Sequence, residues 1–317
     1  MANLNIGVGG IPLSSKKYTT EDGIRRVKEL GLDLMEMEFV QGVKLTADAA
    51  IRIAKVREEK GIELTVHGPY FVNLASLDNR IFYGSIKYVS DSIFIGGLAG
   101  AKSVTFHPAF YQSNSPEETF KLVKKGIEKI YETFDKPKFD GHPVRNNEIV
   151  IAPELTGKPT QFGDLEELIK LSQEFSNSHL KFCIDFAHKY ARSNGQFNTY
   201  EDFVNIFNLV EKALGKEFLG NMHMHVSAIN YGEKGEKNHL TFLGNYEDYL
   251  EYGIDIPELK SELEKLELKG KTTIKPGFNW QELLRAIKDK NVGGYLVCES
   301  PILELDALLL KQQFSKL

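Results

Sequence analysis

Long apolar runs, cysteine and an excess of basic charge are what this sequence lacks. No apolar stretch approaches the roughly 18 residues needed to cross a bilayer, so no transmembrane helix is expected. The start, Met1-Ala2-Asn3-Leu4, has no basic segment followed by an apolar one. It therefore reads as cytoplasmic, and as nucleoid-associated if the source is prokaryotic. Two cysteines in 317 residues give no disulfide framework. Cys183 and Cys298 both fall in apolar runs and read as buried free thiols. A formal charge of -5 excludes a surface coated with basic charge, although a nucleic-acid site needs only a local patch. What is present, 42% hydrophobic and 26% charged residues, suits one large α/β domain spanning residues 1–317.

Apolar runs alternate with amphipathic stretches from end to end, the pattern of repeated strand–helix units. Strands are expected near 3–8, 33–39, 62–67, 103–107, 148–154, 181–185, 219–226 and 294–299. Helices are expected near 20–30, 47–60, 80–99, 116–134, 164–176, 199–214, 279–289 and 302–314. Thr20-Glu21-Asp22, Ser115-Pro116-Glu117 and Thr199-Tyr200-Glu201-Asp202 are helix starts, and Gly31 and Gly61 are stops. This unit count is that of a closed (β/α)8 TIM barrel. Residues 134–147 read as a polar loop, and 227–278 as a long loop excursion after strand seven with a short charged helix at 257–270.

Six apolar runs end on residues that ligate metals: His67, His107, Glu154, Asp185, His223 and Glu299. Strand ends of such a barrel share one mouth, so these side chains should converge there. Three residues after Asp185 stands His188, and an acid and an imidazole in one apolar pocket are commonly reconciled by a cation. A salt-linked pair is the plain alternative for that run alone. Glu36 and Glu38 share one face of strand two, where ion pairing inside the barrel is the first reading and support of a metal ligand the second. Gly7-Val8-Gly9-Gly10 leads into Ile11-Pro12 rather than a helix and reads as a tight turn, not a dinucleotide loop. His142, His179 and the run from Lys121 to Lys129 read as solvated.

Several stretches together resemble the endonuclease IV family of metal-dependent apurinic/apyrimidinic endonucleases, most closely its archaeal-type branch. They are His67-Gly68-Pro69-Tyr70-Phe71-Val72-Asn73-Leu74, Phe106-His107-Pro108, Pro153-Glu154, Ile184-Asp185-Phe186-Ala187-His188, Met222-His223-Met224-His225-Val226-Ser227, Gly235-Glu236-Lys237-Asn238-His239 and Cys298-Glu299-Ser300-Pro301. The resemblance implies two or three Zn2+ ions per chain, with Mn2+ as the other choice. His67 and His107 would hold one ion, bridged by Glu154 to a second completed by Asp185, His223 and Glu299. His188 and His239 would hold the third. There the family has an Asp two residues before the last His, and this chain has Lys237, with Glu236 as a possible substitute. His225 shares a strand face with His223 and is a further possible ligand. Glu154 and Glu299 are the implied catalytic carboxylates.

The implied reaction is hydrolysis of the phosphodiester 5′ to an abasic site in double-stranded DNA, leaving a 3′-hydroxyl, as in base excision repair, by a monomer. Activated water would be the nucleophile. Tyr70, Phe71 and Asn73 would meet the lesion. Lys44, Lys158 and Arg192, with Lys16, Lys17, Lys189, Lys234 and Lys237, would make the mouth basic. A single-metal sugar isomerase or epimerase of the same superfamily would need only Glu154, Asp185, His223 and Glu299. A lesion-binding protein of weakened activity is a third reading, suggested by Lys237.

Overall fold

A computed structural model of the protein describes residues 2–134, 138–139, 142–143, 149–175, 180–273 and 277–317. The strands of the barrel are β1 (Leu4–Gly9), β2 (Leu34–Glu38), β3 (Glu63–His67), β4 (Ser103–Phe106), β5 (Val150–Pro153), β6 (Cys183–Asp185), β7 (Met222–Val226) and β8 (Gly294–Cys298). Eight helices follow them in turn: α1 (Thr20–Glu29), α2 (Ala47–Lys60), α3 (Asn79–Ala99), α4 (Pro116–Phe134), α5 (Leu165–Glu174), α6 (Tyr200–Leu214), α7 (Trp280–Asp289) and α8 (Glu304–Lys316). The strands run in parallel in the order β6-β7-β8-β1-β2-β3-β4-β5. Parallel bridges Ile151 to Leu180 and Glu154 to Cys183 join β5 to β6 and close the ring. The fold is thus the expected single-domain (β/α)8 barrel. Among the described residues no helix is long and apolar enough to cross a membrane.

Local chemistry sets the boundaries. The first cap is Thr19, one residue earlier than the sequence suggests, because its hydroxyl reaches Asp22 N at 3.3 Å. Thr199 and Asp202 form a reciprocal capping box at the start of α6. Gly61 ends α2 at φ 63°, where a side chain would be strained. Gly7 lets β1 approach β2: a Cβ there would sit 1.7 Å from the Leu34 carbonyl oxygen. Gly7, Val8 and Gly9 therefore belong to the strand rather than to the tight turn expected there, and the chain bends only at Gly10.

Strand alternation divides the side chains into two populations. Ile6, Val8, Met35, Met37, Leu64, Val66, Val104, Phe106, Ile151, Ile184, Met224 and Leu296 join the buried apolar cluster shared with the helices. The intervening positions face the barrel axis and are largely polar: Glu36, Thr65, Thr105, Cys183, His223 and His225 are all buried. Both cysteines are buried and free. After β7 the excursion forms an antiparallel hairpin, Ala228–Gly232 with Gly235–Leu240, and then helices Tyr246–Glu251 and Lys260–Leu268. The second of these contains the expected short charged helix, anchored by buried Leu259 and Leu263. His179 and the His142 side chain lie outside the described residues.

Candidate metal centre

The mouth at the carboxyl ends of the strands contains a cavity of about 530 Å³ lined in part by His67, His107, Glu154, His188, His239 and Glu299. Glu154, fully buried, is its hub. One carboxylate oxygen lies 3.2 Å from His67 Nε2, and the other lies 3.5 Å from His107 Nε2, 3.1 Å from His188 Nδ1 and 3.5 Å from His225 Nδ1. Asp185 ends β6 and caps the short helix Phe186–Arg192, accepting a hydrogen bond from His188 N at 2.8 Å. That cap explains the three-residue spacing of Asp185 and His188: one turn of helix puts the imidazole over the strand end.

Three donor groups result. His67, His107 and Glu154 form one; Glu154, Asp185, His225 and Glu299 a second; His188, Glu236 and His239 a third, each with ligand atoms within 4.8 Å of one another. Backbone and hydroxyl groups orient the rings. The His67 Nδ1 meets the Gly68 carbonyl at 2.7 Å, the His188 Nδ1 meets that of Leu155 at 3.0 Å, and His239 Nδ1 meets Ser227 Oγ at 2.7 Å. In each case the Nε2 is left toward the cavity, the arrangement that second partners impose on metal-binding histidines.

The second group corrects an expectation. His223, assigned there from the sequence, lies two residues deeper along β7, with Nε2 3.0 Å from Glu36 and Nδ1 3.0 Å from Ser103 Oγ. His225 takes the place at the mouth, with Nδ1 3.2 Å from Glu299. Alternation sends both rings to the axis, but depth along the axis is set by the register with β6, where Asp185 pairs with His225 and Cys183 with His223. Glu36 thereby ion-pairs with both histidines, and Glu38 reaches the surface. His225→Ala should therefore lower the number of ions bound at the mouth by one and leave those remaining weakly held, whereas Ser103→Ala, which touches only His223, should leave the count intact. Elemental mass spectrometry on both variants checks this, and equal losses would return the ligand role to His223.

The third group depends on an irregularity. Asn230 pairs with Asn238 but Tyr231 with Glu236, so Lys237 is an extra residue on its strand. This bulge reverses the alternation, bringing Glu236 round to the side of His239. Glu236 then lies 3.5 Å from His188 Nε2. Gly157 makes room for both, since a Cβ there would fall 2.7 Å from that of Glu236 and 2.9 Å from His188 Cδ2.

Two residues expected at the DNA face are otherwise engaged. Asn73 is buried, its Oδ1 accepting from Ala75 N at 3.2 Å and Phe110 N at 3.3 Å, so it braces the loop after β3. Arg192 donates to the carbonyls of Lys158 at 2.6 Å and Gln161 at 3.0 Å, which pins the loop after β5. Lys189 is similarly taken up by Asp164 at 2.7 Å. Tyr70 and Phe71 are 53% and 63% exposed, Tyr70 with its ring 5.3 Å from that of His67. Lys44, Lys16, Lys17 and Lys234 are exposed, and Lys158 and Lys237 line the cavity. So does Lys271, which the sequence reading missed because it lies in the excursion, far from any strand end.

Electrostatics show what this mouth wants. Burial works against charge on Glu154, yet His107 and His225 outweigh it and hold the carboxyl well below its usual range. Burial, reinforced by Glu299 and Glu154, pushes Asp185 up to about 8. Several buried atoms have no hydrogen-bond partner: Glu154 Oε1, Asp185 Oδ2, His188 Nε2 and His225 Nδ1. Orphaned carboxylate and imidazole atoms aimed at common points are costly unless a cation meets them, so the donors fit divalent metal ions.

A closed barrel with imidazoles and carboxylates converging at its mouth is the scaffold of a metal-binding (β/α)8 enzyme. The chain belongs to the xylose isomerase-like TIM barrel family, whose model matches residues 24–312. It is 33% identical to an uncharacterized protein of Methanocaldococcus jannaschii over 99% of this chain and 98% of that one. It is 25% identical to a probable endonuclease 4 of Aquifex aeolicus, covering 68% of this chain and 74% of the relative. Among solved structures it resembles endonuclease IV from Thermus thermophilus, with TM-score 0.65 and 18% identity over 98% of this chain and all of that one. A D-tagatose 3-epimerase-like protein is similar in fold to nearly the same degree, with TM-score 0.64 and 19% identity over 99% and 96% of the two chains.

Proposed function

We propose that this protein is a zinc-dependent endonuclease that hydrolyses the phosphodiester 5′ to an abasic site in duplex DNA. The observation that carries the reading is the set of three donor groups in one mouth, two of them joined through Glu154. A sugar isomerase or epimerase needs one ion and two flanking acids; it has no use for His67, His107, His188, Glu236 and His239 gathered around the same cavity. A phosphate in transfer, by contrast, spreads charge over several oxygens that separate cations can meet. His67, His107, His188, His225, His239, Glu154, Asp185, Glu236 and Glu299 would hold the ions. Those ions would supply Lewis acidity and an activated water, so no protein nucleophile is required.

The chain's own residues have three further tasks. Glu154 spaces the first two groups, and Glu299 and Glu236 complete the outer two. Lys158, Lys237 and Lys271 line the cavity and would attract backbone phosphates. Tyr70 and Phe71 at the rim would fill the gap left where a base is missing, the place where unstacking costs least. Phe71→Ala should then weaken binding to abasic duplex about tenfold more than binding to intact duplex, with little loss of stability because the ring is exposed. Equal weakening for both duplexes, measured by fluorescence anisotropy, would remove Phe71 from lesion recognition. The test of the whole reading is a nicking assay on a duplex with one abasic site, run beside an assay of ketose epimerisation. Epimerisation without nicking would overturn it.

A further inference from the structure

One layer below the mouth, the barrel axis holds donors that the reaction above leaves unused. Cys183 on β6, His223 on β7 and Glu36 on β2 are buried and face one another across the interior. Cys183, His223 and His225 each bring a donor atom within 4.8 Å of the others. Glu36 closes the set, 3.0 Å from His223 Nε2 and 2.9 Å from His225 Nε2. These two ion pairs lack hydrogen-bond geometry, and all four of their atoms are shut away from solvent.

Barrels of this kind normally fill that layer with branched apolar side chains, so a buried carboxylate set against two imidazoles and a thiol there calls for a specific cause. Ligand atoms about 2.0–2.3 Å from a tetrahedral zinc lie roughly 3.3–3.8 Å from each other; the Cys183, His223 and His225 donors, within 4.8 Å of one another, are near that spacing, and Glu36 stands beside both histidines as the fourth. The ring of His223 is already aimed, because Ser103 Oγ holds Nδ1 at 3.0 Å and leaves Nε2 toward Glu36. His225 is the seam between layers: Nδ1 faces Glu154 and Glu299 above, and Nε2 faces Glu36 below.

We infer that the barrel interior holds a further metal centre, a zinc-type site with a thiolate ligand, built from Cys183, His223, Glu36 and His225 Nε2. A thiolate among imidazoles selects zinc and its late transition-metal neighbours over magnesium or calcium. Loading replaces the Cys183 thiol proton and the His225 Nε2 proton with the ion, both protons leaving to solvent. A cavity next to His223, bounded also by Ser103, Tyr295 and Asn221, is about 10 Å³, room for a single water. A hydrated ion does not pass such a space, so the metal enters as the barrel closes and outlasts chelation that empties the mouth.

The experiment is cobalt substitution, read without DNA and so independent of nicking. Protein produced with Co(II) as its supplied divalent metal is washed with a chelator and its absorption recorded. Only a thiolate ligand gives a near-ultraviolet sulfur-to-cobalt charge-transfer band; the donors of the mouth, all nitrogen and oxygen, do not. We expect the band in wild type with one ion per chain retained, loss of both in Cys183→Ala, and retention of both in Cys298→Ala, whose thiol faces the outer helices near Asp306. Wild type that retains no ion after the wash, or retains cobalt without the band, overturns the inference, as does a band that survives Cys183→Ala. If Cys183→Ala does not fold, the spectra of wild type and Cys298→Ala decide, since these are the only two thiols in the chain.

Discussion

Replacing Glu154 with glutamine is expected to lower kcat/KM for abasic-duplex nicking by about 10³-fold or more, equivalent to roughly 4 kcal/mol of transition-state stabilisation. The side chain keeps its volume but loses the charge that faces four imidazoles at once, at 3.1 to 3.5 Å. Two donor groups depend on that carboxylate, so ion binding should fall at both. Duplex affinity should change much less, because the lysines and the aromatic pair are untouched. Circular dichroism reports whether the barrel persists, and a variant that keeps the wild-type ion content and activity within tenfold would refute the role of Glu154.

Stripping the ions is expected to produce the largest change in stability, and the change should grow with pH. Each ion present at about 1,000 times its dissociation constant adds roughly 4 kcal/mol to the folded state, so loss of the mouth ions should lower the melting temperature by on the order of 10 °C. The sign of the pH effect follows from Asp185 and His67. In the ion-free protein burial raises Asp185 from 3.8 to about 8, so the fold binds that proton more tightly than the unfolded chain does. Although burial opposes it, Glu154 lifts His67 to about 10, with the same consequence. Stability of the ion-free protein therefore declines as pH rises toward 8. Ligands holding a metal have already lost their protons, and the decline is removed. Thermal melts with zinc and after chelation, at about pH 6 and about pH 8, should show the wider gap at the higher pH; a narrower gap there would mean that these groups are not ligands.

The fold was legible because its signals are local. Periodicity marks each barrel strand and the main helix that follows it, though not the short helices Phe186–Arg192, Lys216–Leu219 and Tyr246–Glu251 or the hairpin after β7, and ligand-type residues at strand ends already share a mouth once the strands form a barrel. What escaped the sequence lies in register and loops. His223 and His225 obey the same alternation, and only pairing with β6 tells which stands higher. Asn73 and Arg192 look available on paper because the backbone groups they bind come from other loops. Lys271 reaches the cavity through a fold of the excursion that no linear spacing announces.

The bulge at Lys237 has a consequence for how the third group is encoded. Removing that residue would leave Glu-Asn-His, an acid two positions before the imidazole on a regular strand, which points both to one side without any irregularity. The bulged and the regular hairpin are thus two spellings of one surface, differing in chain length but not in what they present. A one-residue deletion inside a ligand hairpin, ordinarily ruinous, should here spare the carboxylate and the histidine alike and remove only one cation from the cavity lining.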